Sequence, residues 1–235
     1  VSSSEPDSEH PLRVLHVFRQ LGRGGIGRQI TGFIAHASDP GAHHVALLWG
    51  GDTQGDRLVN PPVMVGTPGA SPYNPIRNVR AARRLRRLIR ERRIDVVHAY
   101  GHLPSILTAL AVPRGTPVVV SRHWMVPRVD RWWFGWAERP CYRRVRIVVI
   151  VSEALRATLP SHGRYPPVRV IHDAIDLERF TPQPLPGPEV PPTVTMVARL
   201  VPFKRHELFL RALAILAADR LPDVRAVLVG DGDER

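Results

Sequence analysis

Lysine is nearly missing from this sequence: of 33 basic residues only Lys204 is a lysine and the rest are arginine. Cysteine is equally scarce. The single Cys141 excludes an internal disulfide framework and fits a reducing compartment. No apolar run approaches the ~20 residues that span a bilayer, and the polar opening Val1 to His10 lacks the apolar centre of a secretory signal. These absences lead to the expectation of a cytoplasmic protein, at most peripheral on the inner face of a membrane.

What is present is a chain of 235 residues, 43% hydrophobic and 23% charged, the composition of a soluble globular protein. That length exceeds one ordinary domain and falls short of two complete α/β domains, so one full core plus part of another is expected. The net charge of +12 is unevenly placed. Between Ile76 and Arg93 lie nine arginines, including Arg77, Arg80, Arg83, Arg84 and Arg87, against Glu91 alone.

Apolar, β-branched runs alternate with helical periodicity. Strands are expected at 13–18, 44–49, 94–99, 117–121, 145–151 and 168–171. Helices are expected at 27–38, 76–93, 104–112 and 131–144, and from the N-cap candidate Ser152 to Leu159. The segment 50–75 reads as irregular and rich in Gly and Pro. The alternation predicts a doubly wound parallel sheet with helices on both faces over residues 12–180, after a disordered tail at 1–11. Six prolines between Thr181 and Thr193 predict an extended linker. A strand at Val194, a helix at 204–219 and a strand at 224–229 then form one βαβ unit. Such a unit alone leaves its edges and faces without partners, so 194–235 is expected to be an incomplete second domain.

Gly22-Arg23-Gly24-Gly25-Ile26-Gly27 satisfies G-x-G-x-x-G between a predicted strand and helix. Such glycines let a backbone approach a pyrophosphate at a helix N-terminus, as in dinucleotide enzymes. The second strand, however, ends Leu48-Trp49-Gly50-Gly51, which places Asp52 poorly for holding a ribose. An NAD-dependent enzyme is the weaker reading, and a tight strand-to-helix turn without a ligand stays open.

Leu15-His16-Val17 followed by Gly24-Gly25-Ile26-Gly27-Arg28-Gln29-Ile30 resembles the opening of family 4 glycosyltransferases of GT-B fold. The resemblance continues through Asp95-Val96-Val97-His98-Ala99-Tyr100-Gly101-His102, then Val118 to His123, Val149 to Leu155, Val170 to Pro182 and Val197 to Lys204. It implies two Rossmann-like domains, an acceptor-side domain first and a nucleotide-sugar domain second. It further implies retaining transfer of a sugar from a nucleoside diphosphate to an acceptor hydroxyl on a glycan or lipid-linked molecule, in cell-envelope glycolipid or polysaccharide synthesis, with no metal or other cofactor.

The resemblance also assigns residues. Arg199 and Lys204 are similar to the family's diphosphate-binding Arg and Lys, and His123 to its active-site histidine beside the donor sugar. Gly24 and Gly25 fall on the family's Gly-Gly loop and are expected, with Gly230, on the donor side. Apart from the resemblance, His98 is expected to line the acceptor side of the cleft or to be structural, Tyr100 to line that cleft, and exposed Trp132 and Trp133 to stack on an acceptor sugar or rest at a membrane interface. His98 and His102 are four apart, yet no third ligand accompanies them. Two turns depart from the family's pattern: Asp173-Ala174-Ile175-Asp176 replaces Asn-Gly-Ile-Asp, and Ala198-Arg199-Leu200 replaces Gly-Arg-Leu. The family's Glu-x7-Glu pair would lie beyond residue 235, so the 235-residue chain is expected to be inactive by itself.

The arginine-rich helix is open to three readings: a solvated face, an anionic membrane surface, or nucleic acid. No nucleic-acid module is apparent, and nucleic acid is not expected as a partner. Trp132, Trp133, Phe134 and Trp136 cannot all face one side of a helix, so some are expected to be exposed. The alternative to an enzyme is a non-catalytic basic protein that docks on a membrane or on nucleic acid.

Overall fold

The computed structural model describes residues 11–22, 25–50, 55–67, 74–123, 140–159, 165–182, 184, 187 and 191–232. Contacts divide the chain between Ile175 and Asp176, ahead of the proline-rich stretch.

In the first unit seven strands form one sheet: β1 (Val14–Phe18), β2 (His43–Leu47), β3 (Val63–Met64), β4 (Val96–Tyr100), β5 (Val118–Arg122), β6 (Val145–Ile150) and β7 (Val168–Val170). All pairings are parallel, in the order β3-β2-β1-β4-β5-β6-β7. The direction of winding reverses between β1 and β4, and in an open parallel sheet that reversal leaves a crevice at the carboxyl ends of the strands.

Side-chain alternation gives the two sheet faces different characters. Leu15, Val17, Val97, Ala99, Val118 and Val120 are fully buried on one face. They share a core with Leu85, Leu88 and Ile89 of α2 (Pro75–Glu91) and Leu107 of α3 (His102–Ala111). The residues between them on the strands, His16, Phe18, His98, Tyr100 and Ser121, point the opposite way. There Phe18 and Tyr100 pack with Ile30 and Ile34 of α1 (Gly25–Ala35).

The helix ends have local causes. Asn74 caps α2 by accepting a hydrogen bond from the Arg77 N–H at 3.1 Å, and Pro75 occupies the first turn, where its missing N–H costs nothing. Arg93 turns left-handed at φ 49° to stop the helix. Arg144 holds the end of α3 by donating from Nη1 to the carbonyls of Ala109 and Val112 at 3.1 and 2.9 Å. The turn into α1 needs glycine at position 27, since a Cβ there would sit 2.4 Å from the Gly22 carbonyl oxygen.

Three expectations are corrected. β3 lies inside the stretch read as irregular, pairing Val63 and Met64 with Ala46 and Leu47. The helix expected after Ser152 is a 3-10 turn over Glu153–Thr158, and Ser152 makes no side-chain capping bond. Pro160 disfavours helical backbone at the preceding residue, and Leu159 is extended at φ −76°, ψ 153°. Ile76, Val79, Leu85, Leu88 and Ile89 recur at helical spacing and predict one apolar stripe along α2, but only Leu85, Leu88 and Ile89 are buried, with Ala81, whereas Ile76 and Val79 are exposed. Most of the helix expected at 131–144 falls outside the described residues.

In the second unit β8 (Thr193–Val197) and β9 (Arg225–Val229) pair in parallel around α4 (His206–Asp219). A 3-10 turn over Pro202–Lys204 precedes α4. No described residue of this unit is buried.

Candidate functional site

β4 and β5 deliver the first-unit candidates to one face of the sheet. His123 immediately follows β5, its side chain 8% exposed, with Nδ1 3.6 Å from the Asp173 carboxylate. Neither ring nitrogen has a hydrogen-bond partner among the described residues. Burial lowers the His123 pKa from its ordinary value, and Asp173 partly offsets this. The result is an enclosed, neutral imidazole whose ring nitrogens are unpaired among the described residues.

Tyr100 lies beside it, ring centroids 5.9 Å apart, and stacks on His98 at 4.2 Å. The Tyr100 hydroxyl is 2.9 Å from His98 Nδ1 and 2.9 Å from His16 Nδ1. His98 Nε2 reaches the Ser121 hydroxyl at 2.7 Å, and His16 Nε2 reaches His43 Nδ1 at 2.9 Å. Burial, together with the nearby His123, pushes His98 down to about 3. Burial raises the Tyr100 phenol well above its ordinary value, keeping it protonated. His16, His43, Ser121 and Asp173 were not singled out as site residues from sequence. The period-2 spacing of His98, Tyr100 and the residues of β1 was visible, but the adjacency of β1 and β4 was not.

Glycine 25 opens α1, and a Cβ added there would meet nothing within 4 Å, leaving the helix start open to approach. Gly24 lies outside the described residues, as do Trp132 and Trp133. His102 begins α3, one residue after Gly101 at φ 90°.

In the second unit the carboxyl end of β8 carries the cations. Arg199 follows β8 and Lys204 closes the 3-10 turn, both exposed. Their charged groups lie 5.7 Å (Arg199 Cζ) and 5.4 Å (Lys204 Nζ) from the centroid of the same Phe203 ring. Backbone bonds from Val201 to the Arg199 carbonyl and from Lys204 to the Val201 carbonyl fold the turn that gathers them. Gly230, just past β9, touches this strand end so closely that a Cβ would come 1.8 Å from the Ala198 carbonyl oxygen. A planar guanidinium and a compact ammonium on one exposed turn can together hold a diphosphate.

The profile of Glycosyltransferase Family 4 matches residues 23–179, about two thirds of the sequence. The chain belongs to glycosyltransferase family 4. The solved structures it resembles include the Anabaena protein HepE in complex with UDP and glucose, with a TM-score of 0.69 and 18% identity over 95% of this chain and 62% of that one. A glycosyltransferase from Rickettsia africae gives 0.65 and 17%, over 94% and 60%. Sucrose-phosphate synthase from Thermosynechococcus elongatus gives 0.60 and 13%, over 95% and 71%. At these identities the likeness concerns the fold, which is GT-B. This family 4 chain spans about three fifths of the length of the first two. No curated protein matches it with significance.

On α2 the arginines Arg77, Arg80, Arg83, Arg84 and Arg87 are all exposed. Arg87 Nε bonds Glu91 at 2.6 Å, so part of this charge is answered within the helix. No helix among the described residues is long and apolar enough to cross a membrane.

Proposed function

We propose that this family 4 chain takes part in retaining transfer of a sugar from a nucleoside diphosphate to an acceptor hydroxyl. The bond from the anomeric carbon to the diphosphate oxygen breaks, and its electron pair leaves on the diphosphate. The acceptor oxygen bonds the same carbon on the same face, and its proton passes to the leaving phosphate oxygen. The observation that carries the reading is the pairing of Arg199 and Lys204 around Phe203 at the end of β8. Cations fixed beside a leaving group stabilise its growing charge without the reorganisation that water requires.

His123 is assigned to the sugar side, where its ring nitrogens, unpaired among the described residues, offer a donor and an acceptor to sugar hydroxyls. Gly25 at the start of α1 and Gly230 allow close backbone approach on the donor side, and Gly24 is assigned with them. His98, Tyr100, Trp132 and Trp133 are assigned to the acceptor side. The Arg199 and Lys204 pair can answer diphosphate charge directly, so the reading assigns no metal. UDP-glucose is the first donor to test, because the HepE structure holds UDP and glucose. Consumption of the nucleotide sugar by the protein containing this chain, followed with and without Arg199→Ala and Lys204→Ala, tests the reading. Equal rates in wild type and both variants would remove the two cations from the site.

A membrane surface is proposed as a partner on a separate observation. Beside its exposed arginines α2 leaves Ile76 and Val79 66% and 51% exposed, and Leu110 of the neighbouring α3 is 63% exposed. Exposed arginines flanking exposed aliphatic side chains suit an anionic headgroup layer, and a lipid-linked acceptor would be found there.

A further inference from the structure

The buried polar groups beneath His123 form a single file. His43, His16, Tyr100, His98 and Ser121 lie on β2, β1, β4 and β5 and meet through four contacts of 2.7 to 2.9 Å. The file begins at the first residue of β2, where exposed Phe33 of α1 stands edge-on to His43 at 5.9 Å. It ends at Ser121, two residues before His123. The fit to strand register is close: His16 pairs directly with His98, and Tyr100 with Ser121.

Proton counting restricts this file severely. A neutral imidazole has one N–H and one acceptor nitrogen, and a phenol has one O–H to give. Every contact needs one hydrogen between its two heavy atoms. If His16 carries its hydrogen on Nε2, it donates to His43. Tyr100 must then donate to His16 Nδ1, His98 must donate from Nδ1 to Tyr100, and Ser121 donates to His98 Nε2. If His16 carries it on Nδ1, all four bonds reverse. His43 donates to His16, His16 to Tyr100, Tyr100 to His98, and His98 donates from Nε2 to Ser121. Any mixed assignment leaves a buried donor or acceptor without its partner, which costs about 1–3 kcal/mol per group.

We propose that these five residues are a two-state hydrogen-bond relay, with its polarity set at His43 and read at His98 and Ser121 beneath His123. His43 and His16, which are assigned no substrate contact, are positioning residues for the site, and the relay rests on the reading above only in taking His123 as a site residue. A proton taken up by His43 makes both its ring nitrogens donors, so Nδ1 must donate to His16 and the whole file points toward Ser121. His43 is the place of entry because it stands at the accessible end, whereas His16 is 1% exposed. Burial lowers His43, His16 and His98 alike, and the carboxylate of Asp39, in the turn before β2, opposes the lowering at His43 alone. The other groups bearing on the file are His44 at His16 and His123 at His98, with Asp173 at His123.

Long-range proton–nitrogen correlation NMR of the chain with 15N-labelled histidine reads each ring nitrogen as protonated or bare, and needs neither donor nor acceptor. The expected result is that the hydrogen sits on Nε2 of His16 with Nδ1 of His98, or on Nδ1 of His16 with Nε2 of His98. Once His43 is doubly protonated only the second pair should remain. In His43→Phe, at the surface end of the file, the tautomers of His16 and His98 should stay constant across the pH range where wild-type His43 titrates. A mixed pair, charging of His16 or His98 before His43, or a tautomer change that survives in His43→Phe would overturn the relay. Failure of sugar transfer would leave these signals as they are, so the two ideas fail separately.

Discussion

Arg199 and Lys204 carry the clearest prediction, because a cation beside a leaving diphosphate acts mainly in the transition state. In the protein containing this chain, each alanine substitution should lower kcat/KM for the nucleotide sugar by a factor equivalent to about 2–4 kcal/mol, the scale for one preorganised stabiliser. Steady-state kinetics decide this, and an effect confined to KM would make the residues simple binders. A second prediction concerns the histidines. His98 has a folded pKa of about 3 against 6.5 for a free imidazole, so between those values the unfolded chain binds more protons than the folded one. Stability should therefore rise with pH across that window and be lost as pH falls from about 6.5, each unit of difference being worth about 1.4 kcal/mol. His16 and His123 shift in the same direction and add to the slope. Urea denaturation at pH 7 and pH 5 should show it, with a shallower slope in His98→Gln. Equal stability at both pH values would mean the imidazoles are not held neutral.

At the level of single elements, α2 is the informative case. Its C-terminal half packs inward through Leu85, Leu88 and Ile89, while its N-terminal half shows Ile76, Val79 and a row of arginines to solvent. Binding to vesicles of anionic phospholipid should weaken by about 1 kcal/mol for each of Arg77, Arg80 and Arg84 changed to Gln. It should also weaken with salt, as screening requires. Binding that ignores both changes would return α2 to the role of a solvated face. The second unit makes a different prediction. α4 and β9 have no buried residue, and Leu208 and Ile215 are 66% and 70% exposed. Backbone amides of 193–229 in the 235-residue chain should exchange rapidly with solvent, while those of β1, β4 and β5 are protected. Equal protection in both units would show that these elements have partners in solution.

Across the whole chain, legibility followed the range of the signal. β1, β4, β5 and β6 were readable because each is a largely apolar, β-branched run bounded by turn residues, as parallel strands covered on both faces require. β3 was not, since two residues carry no periodicity. The 3-10 turn after Ser152 was masked by a plausible cap, and Pro160 accounts only for its end at Leu159. His123, Arg199 and Lys204 could be singled out because each sits in a local motif. The His43, His16, Tyr100, His98 and Ser121 file could not be, because it exists only once β1 is known to lie beside β4 instead of ending a β1-β2-β3 series. Sequence order conceals that adjacency.

The most direct test of the account is the NMR assignment of the anomer formed when the protein containing this chain is given a nucleoside diphosphate sugar and an acceptor alcohol. Free nucleoside diphosphate should appear together with a glycoside of the donor's own anomeric configuration. An inverted glycoside, or no consumption of any nucleoside diphosphate sugar across the common bases, would contradict it.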